Sequence, residues 1–217
     1  MKPEIFIAKG SGFCFGVRRA IRMVNESLAS GGQEVYSLGP VIHNPQVVRH
    51  LASKGLKTIT SIRQLRKGKV VIRSHGMPAQ VREGLESAGI PVIDATCPLV
   101  KKAQRAAASL KAQGYRVLIV GERTHPEVIS LLSFAGKSSM VIGSLKEARK
   151  ISIQERTGVL SQTTVPLTTF QSIARALKKK LKEVKIFDTV CREAERRQQS
   201  ARSLAERVDL MIVIGGK

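Results

Sequence analysis

Tryptophan is absent, and aromatic residues of every kind make up only 4 % of the 217 residues. Few rings are therefore available to stack on unpaired bases, the usual platform for single-stranded nucleic acid. No apolar run is long enough to span a bilayer. The opening stretch, MKPEIFIAKGSGFCFG, lacks the apolar core of a secretory signal. No C-x-x-C pair occurs, which excludes a zinc ribbon and a ferredoxin-type run by spacing. The three cysteines cannot pair completely, and such thiols in a reducing compartment are more often catalytic, metal-bound or buried than disulfide-bonded. The expectation is a cytoplasmic chain without a membrane segment. Acidic residues are also scarce: Asp+Glu 16 against Lys+Arg 37 gives a net charge of +21 and a pI near 10.6. Such a field favours polyanions, phosphorylated substrates or an acidic protein partner.

What the chain does contain is enough apolar material, 42 %, for one large domain or two to three small ones. Three segments share a plan. They begin at EIFIAKGSGFCFG, at PVIDATCPLV and at VKIFDTVCREA. Each opens with a short β-branched run, the mark of a buried strand. A cysteine follows, then a helical stretch rich in Ala, Leu, Arg, Lys and Gln, then a second apolar strand ending in Gly39, Gly121 or Gly215. From cysteine to glycine the separations are 25, 24 and 24 residues (Cys14 to Gly39, Cys97 to Gly121, Cys191 to Gly215). His43 and His125 each lie four residues past their glycine, and each stands near a proline. Another helix and a third strand follow in the first two units, ending in the polar loops Ser74-His75-Gly76 and Ser161-Gln162-Thr163-Thr164. Strand–helix alternation of this kind predicts parallel sheets flanked by helices. The expected divisions are an N-terminal strand over 1–13 pairing with the third unit, a first α/β unit over 14–96, a second over 97–190, and the start of a third over 191–217.

Ligands of open α/β sheets bind beyond the carboxyl ends of the strands. The cysteines, histidines and Ser/Thr loops all fall on that edge. Three units around an axis would aim Cys14, Cys97 and Cys191 at one point. Each thiol precedes a helix, whose N-terminus favours the thiolate form that binds metal. Three thiolates on a [4Fe–4S] cluster, which normally takes four, would leave one iron open as a Lewis acid. Three inert buried cysteines and a Cys₃His zinc site are the competing readings.

Other readings of single features stand beside these. Glu127 suits a helix N-terminus electrostatically, Thr163 suits a cap for a helix beginning near Pro166, and His50 in VVRHLASKG reads as solvent-exposed. Residues 10–16, GSGFCFG, mimic a dinucleotide fingerprint, but the next strand, EVYSLG, ends without the acidic residue that would hold a ribose. Lys178, Lys179, Lys180 and Lys182 form a solvated basic face or a docking patch for an acidic electron donor. The net charge keeps nucleic-acid binding as an alternative, although the basic residues are spread over many helices and no recognition motif is present. A non-enzymatic iron–sulfur or zinc sensor would need only the thiolates.

The segments GFCFGVRRAI, PVIHNPQVV, IRSHG, DATCPLV, THPEV, SQTT and DTVC followed by Arg197-Gln198 resemble, in order along the whole chain, the motifs of the 4-hydroxy-3-methylbut-2-enyl diphosphate reductase (LytB) family. The resemblance implies a pseudo-threefold trefoil of small parallel-sheet α/β domains around a central [4Fe–4S] cluster with one open iron. It implies reductive removal of the hydroxyl of a small allylic diphosphate, giving isopentenyl and dimethylallyl diphosphate in the non-mevalonate pathway. Ferredoxin or flavodoxin would deliver the electrons. By motif, Cys14, Cys97 and Cys191 match the cluster ligands, and His43 and His75 match residues that grip the diphosphate. His125 and Glu127 lie in HPEV, whose glutamate takes part in protonation, and Thr163 matches a residue near the substrate hydroxyl. Three departures follow. The family's third domain continues past GGK, so a C-terminally truncated third domain and poor turnover by this chain alone are expected. Ala194 stands where the family has threonine. Ser130 stands where a glycine is common, which questions the local turn.

Overall fold

The structure, a computed structural model, describes residues 4–65 and 67–215, without the side chain of Ala194. Helix α1 (Phe15–Ala29) buries Gly16, Ala20, Val24 and Ser27, a stripe at helical spacing. It leads into β1 (Val35–Leu38), α2 (Pro45–Ser53), β2 (Leu56–Ile59), β3 (Lys69–Ile72), α3 (Ala79–Ser87) and β4 (Val92–Asp94). These strands form one sheet in the order β2-β1-β3-β4, parallel throughout. The chain then repeats itself through α4 (Pro98–Ala112), β5 (Arg116–Val120), α5 (Pro126–Ala135), β6 (Met140–Ile142), α6 (Leu145–Lys150), β7 (Thr157–Ser161), α7 (Leu167–Lys180) and β8 (Val184–Ile186). The second sheet, β6-β5-β7-β8, is again parallel and follows the same course as the first. Helix α8 (Glu193–Ala205) follows Cys191 and belongs to neither sheet.

The parallel α/β expectation holds, and its reason is visible in the strands. Val70 and Val71 of β3, and Val117, Leu118 and Ile119 of β5, have no exposed surface. Helices cover both faces, so these strands read as continuous apolar runs rather than alternating ones. Each such side chain contributes roughly 1.5–3 kcal/mol by burial. In the second unit the two faces are separate clusters. Ala103, Ala107 and Leu110 of α4 pack with Val128 and Leu131 of α5 on one side. Phe170, Ile173 and Leu177 of α7 pack on the other.

Two expectations fail. The apolar stretches near residues 4–8 and 209–215, expected as strands, make no ladder among the described residues. Ile5, Ile7, Leu210, Ile212, Val213 and Ile214 are 75–91 % exposed. A strand exists through the neighbour that completes its hydrogen bonds, and these segments have none among the described residues. Conversely, β2 and β6 have no counterpart in the sequence reading. They are edge strands of four and three residues, too short to show a period. No helix of the described residues is long and apolar enough to cross a membrane.

Candidate active site

The three thiols come together at one cavity. Cys14 stands at the N-cap of α1, and Cys97 stands at the N-cap of α4 with Pro98 as the first helical residue. Neither side chain is spent on a capping hydrogen bond, so both sulfurs remain available at the positive end of a helix. Cys191 precedes α8 by two residues. All three are free and half-buried, and all three line a cavity of about 410 Å³ together with Gly16, Pro98 and Val190. Gly16 is small for a reason. A Cβ there would fall 2.7 Å from the Cys97 Sγ and 4.0 Å from the Cys14 Sγ. The two sulfurs therefore lie within the sum of those distances, 6.7 Å. Burial raises the pKa of the Cys191 thiol; the other two thiols add to the rise, and the Glu193 backbone N–H opposes it.

The surrounding loops are stitched to these cysteines. The Cys97 N–H donates to the Ser74 carbonyl at 3.0 Å, and the Cys191 N–H donates to the Thr163 carbonyl at 2.7 Å. Arg19 of α1 donates to the Thr96 carbonyl at 3.1 Å, fixing the helix of Cys14 to the loop of Cys97.

Three histidines gather beyond the carboxyl ends of β1, β3 and β5. The His43 and His75 ring centroids are 4.3 Å apart, and those of His125 lie 5.9 Å and 5.6 Å from them. One nitrogen from each lies within 4.8 Å of the others. Local capping sets the loops. Asn44 accepts the Val47 N–H at the start of α2, and His125 Nδ1 accepts the Glu127 N–H at the start of α5. Burial, then the charges of His43, His125 and Arg73, pushes the His75 pKa down to about 3. Burial and His43 also lower His125, against a raising effect of Glu122. Both are thus neutral imidazoles at pH 7, each with one N–H to donate. His75 Nδ1 is buried and has no hydrogen-bond partner among the described residues.

Glu127 is the buried acid of the site, 1 % exposed in the first turn of α5. One carboxylate oxygen accepts the Thr163 N–H at 2.6 Å, and the other accepts the Thr163 hydroxyl at 2.9 Å. Burial raises its pKa to about 7 although both hydrogen bonds pull it down. A carboxyl group so placed holds a proton for part of the time at neutral pH, as a general acid must. Thr163 does not cap the following helix. Helix α7 starts at Leu167 behind Pro166, without a side-chain cap. A continuous path of contacts runs from Cys97 through the Ser74–His75 loop, across the rings to His125, and on through Glu127 and Thr163 to Cys191.

Several residues take places the sequence reading did not assign. Ser130 lies inside α5, fully buried, so no turn occurs there. Its hydroxyl donates to the Met77 carbonyl at 2.9 Å and accepts from Gln104 at 2.9 Å, tying the His75 loop to the helix of His125. Arg73, inside the IRSHG segment, sends its charge onto His75 and His125. Its motif was visible, but a side chain's missing counter-charge is a tertiary fact. His50 is exposed at the end of α2, and Lys178, Lys179, Lys180 and Lys182 are exposed at and beyond the end of α7. The side chain of Ala194, where the resemblance expects threonine, lies outside the described ones.

A family model described as LytB protein matches residues 5–217. Over 213 residues the chain is 41 % identical to the 4-hydroxy-3-methylbut-2-enyl diphosphate reductase of Geobacter metallireducens, covering 98 % of this chain and 75 % of that protein. The namesake from Aquifex aeolicus is 41 % identical over 217 residues, covering 99 % and 75 %. Among solved structures, one of (E)-4-hydroxy-3-methyl-but-2-enyl diphosphate reductase, described as the terminal enzyme of the non-mevalonate pathway, matches with a TM-score of 0.83 at 40 % identity, over 98 % of this chain and 77 % of that one. The Plasmodium falciparum reductase matches with a TM-score of 0.83 at 25 % identity, over 90 % and 63 %.

Proposed function

The chain belongs to the LytB family, and from that premise we propose that it is a 4-hydroxy-3-methylbut-2-enyl diphosphate reductase whose site is built by the residues above. The overall change is reductive dehydroxylation. The allylic C–O bond breaks, two electrons and two protons enter, and water leaves with isopentenyl or dimethylallyl diphosphate as product. Nucleic-acid binding and a bare metal sensor are not favoured, because neither uses the histidine and Glu127–Thr163 machinery.

The thiol cavity fits an iron–sulfur cluster. Three half-buried sulfurs face about 410 Å³ of space, and a glycine keeps side-chain bulk out from between two of them. We assign Cys14, Cys97 and Cys191 as the ligands of a [4Fe–4S] cluster with one iron free of protein thiolate. Bound there, such a cluster would supply electrons one at a time and a Lewis-acid site for the substrate oxygen.

The remaining work falls to this chain's own side chains. His43, His75 and His125 form the diphosphate grip, and neutral imidazoles donate N–H bonds to phosphate oxygens. Thr163 positions the substrate hydroxyl end and holds both oxygens of Glu127. Glu127 delivers the proton that lets the hydroxyl depart as water. The observation that carries this reading is the buried carboxyl with a pKa of about 7, bonded twice to Thr163, whose carbonyl in turn holds the backbone of Cys191. We place the cluster-bearing units at 14–96, 97–190 and 191–217, with the 1–13 segment beside the third. We place the protein in the cytoplasm, with ferredoxin or flavodoxin as donor.

The three histidines also suit a single metal ion by residue type, but the Arg73 guanidinium beside them repels a cation and attracts an anion. The test is anaerobic. The reconstituted protein is mixed with a reduced viologen and 4-hydroxy-3-methylbut-2-enyl diphosphate. Substrate-dependent oxidation of the dye, with isoprenoid diphosphates as products, supports the assignment. No oxidation and no substrate-induced change in the cluster spectrum would overturn it.

A further inference from the structure

Resting on that reading of the histidine pocket, we propose that Arg73 is a further diphosphate-binding residue and supplies the pocket's permanent positive charge. Arg73 follows β3 by one residue and precedes His75 by two. Its guanidinium lies across the carboxyl end of the first sheet. A Cβ on Gly39, at the end of β1, would fall 2.7 Å from the Arg73 Nη1 and 3.6 Å from its Cζ. Gly39 also holds a φ of +75°, so side chains are disfavoured there twice over. The head group is thus set between the strand that leads to His43 and the strand that leads to His75.

The guanidinium is half-buried, and among the described residues no carboxylate, hydroxyl or carbonyl accepts from it. Glu122 acts on His125, but among the described residues no carboxylate is hydrogen-bonded to the Arg73 guanidinium. Burial first, then neighbouring charges that include Arg73, hold the His75 and His125 pKa values below the ordinary imidazole value. A buried cation without a counter-ion is unfavourable, and proteins normally pair it. Two residues further along the same loop, His75 Nδ1 is buried and has no hydrogen-bond partner among the described residues. Two polar groups left unsatisfied among the described residues, two residues apart on one loop, point to an anionic ligand that satisfies both. A diphosphate carries several negative charges at neutral pH, and neutral imidazoles supply donors but no net charge. The planar fork of arginine takes two phosphate oxygens at once and keeps its proton under all relevant conditions.

The experiment uses cluster-loaded protein and inorganic pyrophosphate, with binding followed by titration calorimetry and by the cluster absorption. Arg73→Gln weakens pyrophosphate binding tenfold or more and lowers its salt dependence, while Arg73→Lys keeps most of the affinity. With the full substrate, KM rises by a larger factor than kcat falls, because the charge on the diphosphate does not change during the reaction. A merely packing role would instead leave KM in place and make the lysine variant as poor as the glutamine one. Affinity of Arg73→Gln equal to wild type, alongside a clear loss in His75→Ala, overturns the role of Arg73 and leaves the pocket standing. Equal affinity in both variants, or no binding by the unmodified protein, overturns the pocket and Arg73 together. Should Arg73→Gln fail to hold its cluster, Arg73→Met and Arg73→Lys carry the same comparison, and equal affinity in those two also overturns the proposal.

Discussion

The first sheet, β2-β1-β3-β4, and the second, β6-β5-β7-β8, run the same course, yet their carboxyl edges carry different chemistry. At the first edge stand His43, Arg73 and His75, all donors or cations. At the second stand His125, Glu127 and Thr163, which include a buried acid and its hydroxyl partner. Topology has fixed where a site forms, because both units offer the same loops at the same strand ends. The loop residues decide what each edge does. Under the proposed function, the first edge together with His125 holds the diphosphate, and Glu127 with Thr163 on the second edge handles a proton.

Exchanging roles between the edges breaks the comparison most severely. Glu127→Gln keeps the shape but removes the proton, and reduction should fall by about a hundredfold or more. Pyrophosphate affinity should change little. His75→Ala should do the reverse, losing affinity with a smaller drop in kcat. Steady-state kinetics together with calorimetry on both variants checks this, and parallel losses in both quantities would erase the division of labour.

Glu127 and His75 should also pull stability in opposite directions with pH. Glu127 has its pKa raised from 4.5 to about 7. A raised group stabilises the fold below its unfolded value and loses that contribution as pH climbs from 4.5 through 7. The loss is on the order of 3 kcal/mol. His75 is lowered from 6.5 to about 3. Its contribution is present above 6.5 and fades as pH falls toward 3. Urea melts across this range should show Glu127→Gln flattening the slope on the approach to pH 7. His75→Ala should flatten the acid side. Between 4.5 and 6.5 the two trends partly cancel in the unmodified protein. Identical pH profiles for both variants would remove the contrast.

The smallest effect concerns the tie between the units. Ser130→Ala leaves the Met77 carbonyl and Gln104 without a partner. The expected loss is about 1–2 kcal/mol of unfolding free energy, read by urea titration. KM should shift modestly as the His75 loop loosens against α5. A stability equal to the unmodified protein would show that the bridge carries nothing.

Much of this was legible in the residues themselves. The offset from Cys14 to Gly39 recurs from Cys97 to Gly121, and His43 and His125 sit at matching places after them, so repetition exposed both units and their shared edge. Short edge strands were not legible, since three residues at Met140–Ile142 carry no period. The apolar runs near residues 4–8 and 209–215 have strand composition, but composition cannot supply the neighbouring strand that makes a ladder. Arg73 lies inside IRSHG, a segment whose motif points to its histidine. What distinguishes it is the missing counter-charge, which depends on every element packed around it. Ser130 suggests a disturbed turn from its sequence position, because only the folded chain brings Met77 and Gln104 within its reach.

The thiols at positions 14, 97 and 191 anchor both edges, so metal content is the most direct test. Protein reconstituted and purified without oxygen should contain four iron and four acid-labile sulfide per chain, in line with a [4Fe–4S] site. Replacing any one of the three cysteines by serine should lower both together. A single zinc per chain, or iron unaffected by the loss of one of these cysteines, would contradict the account.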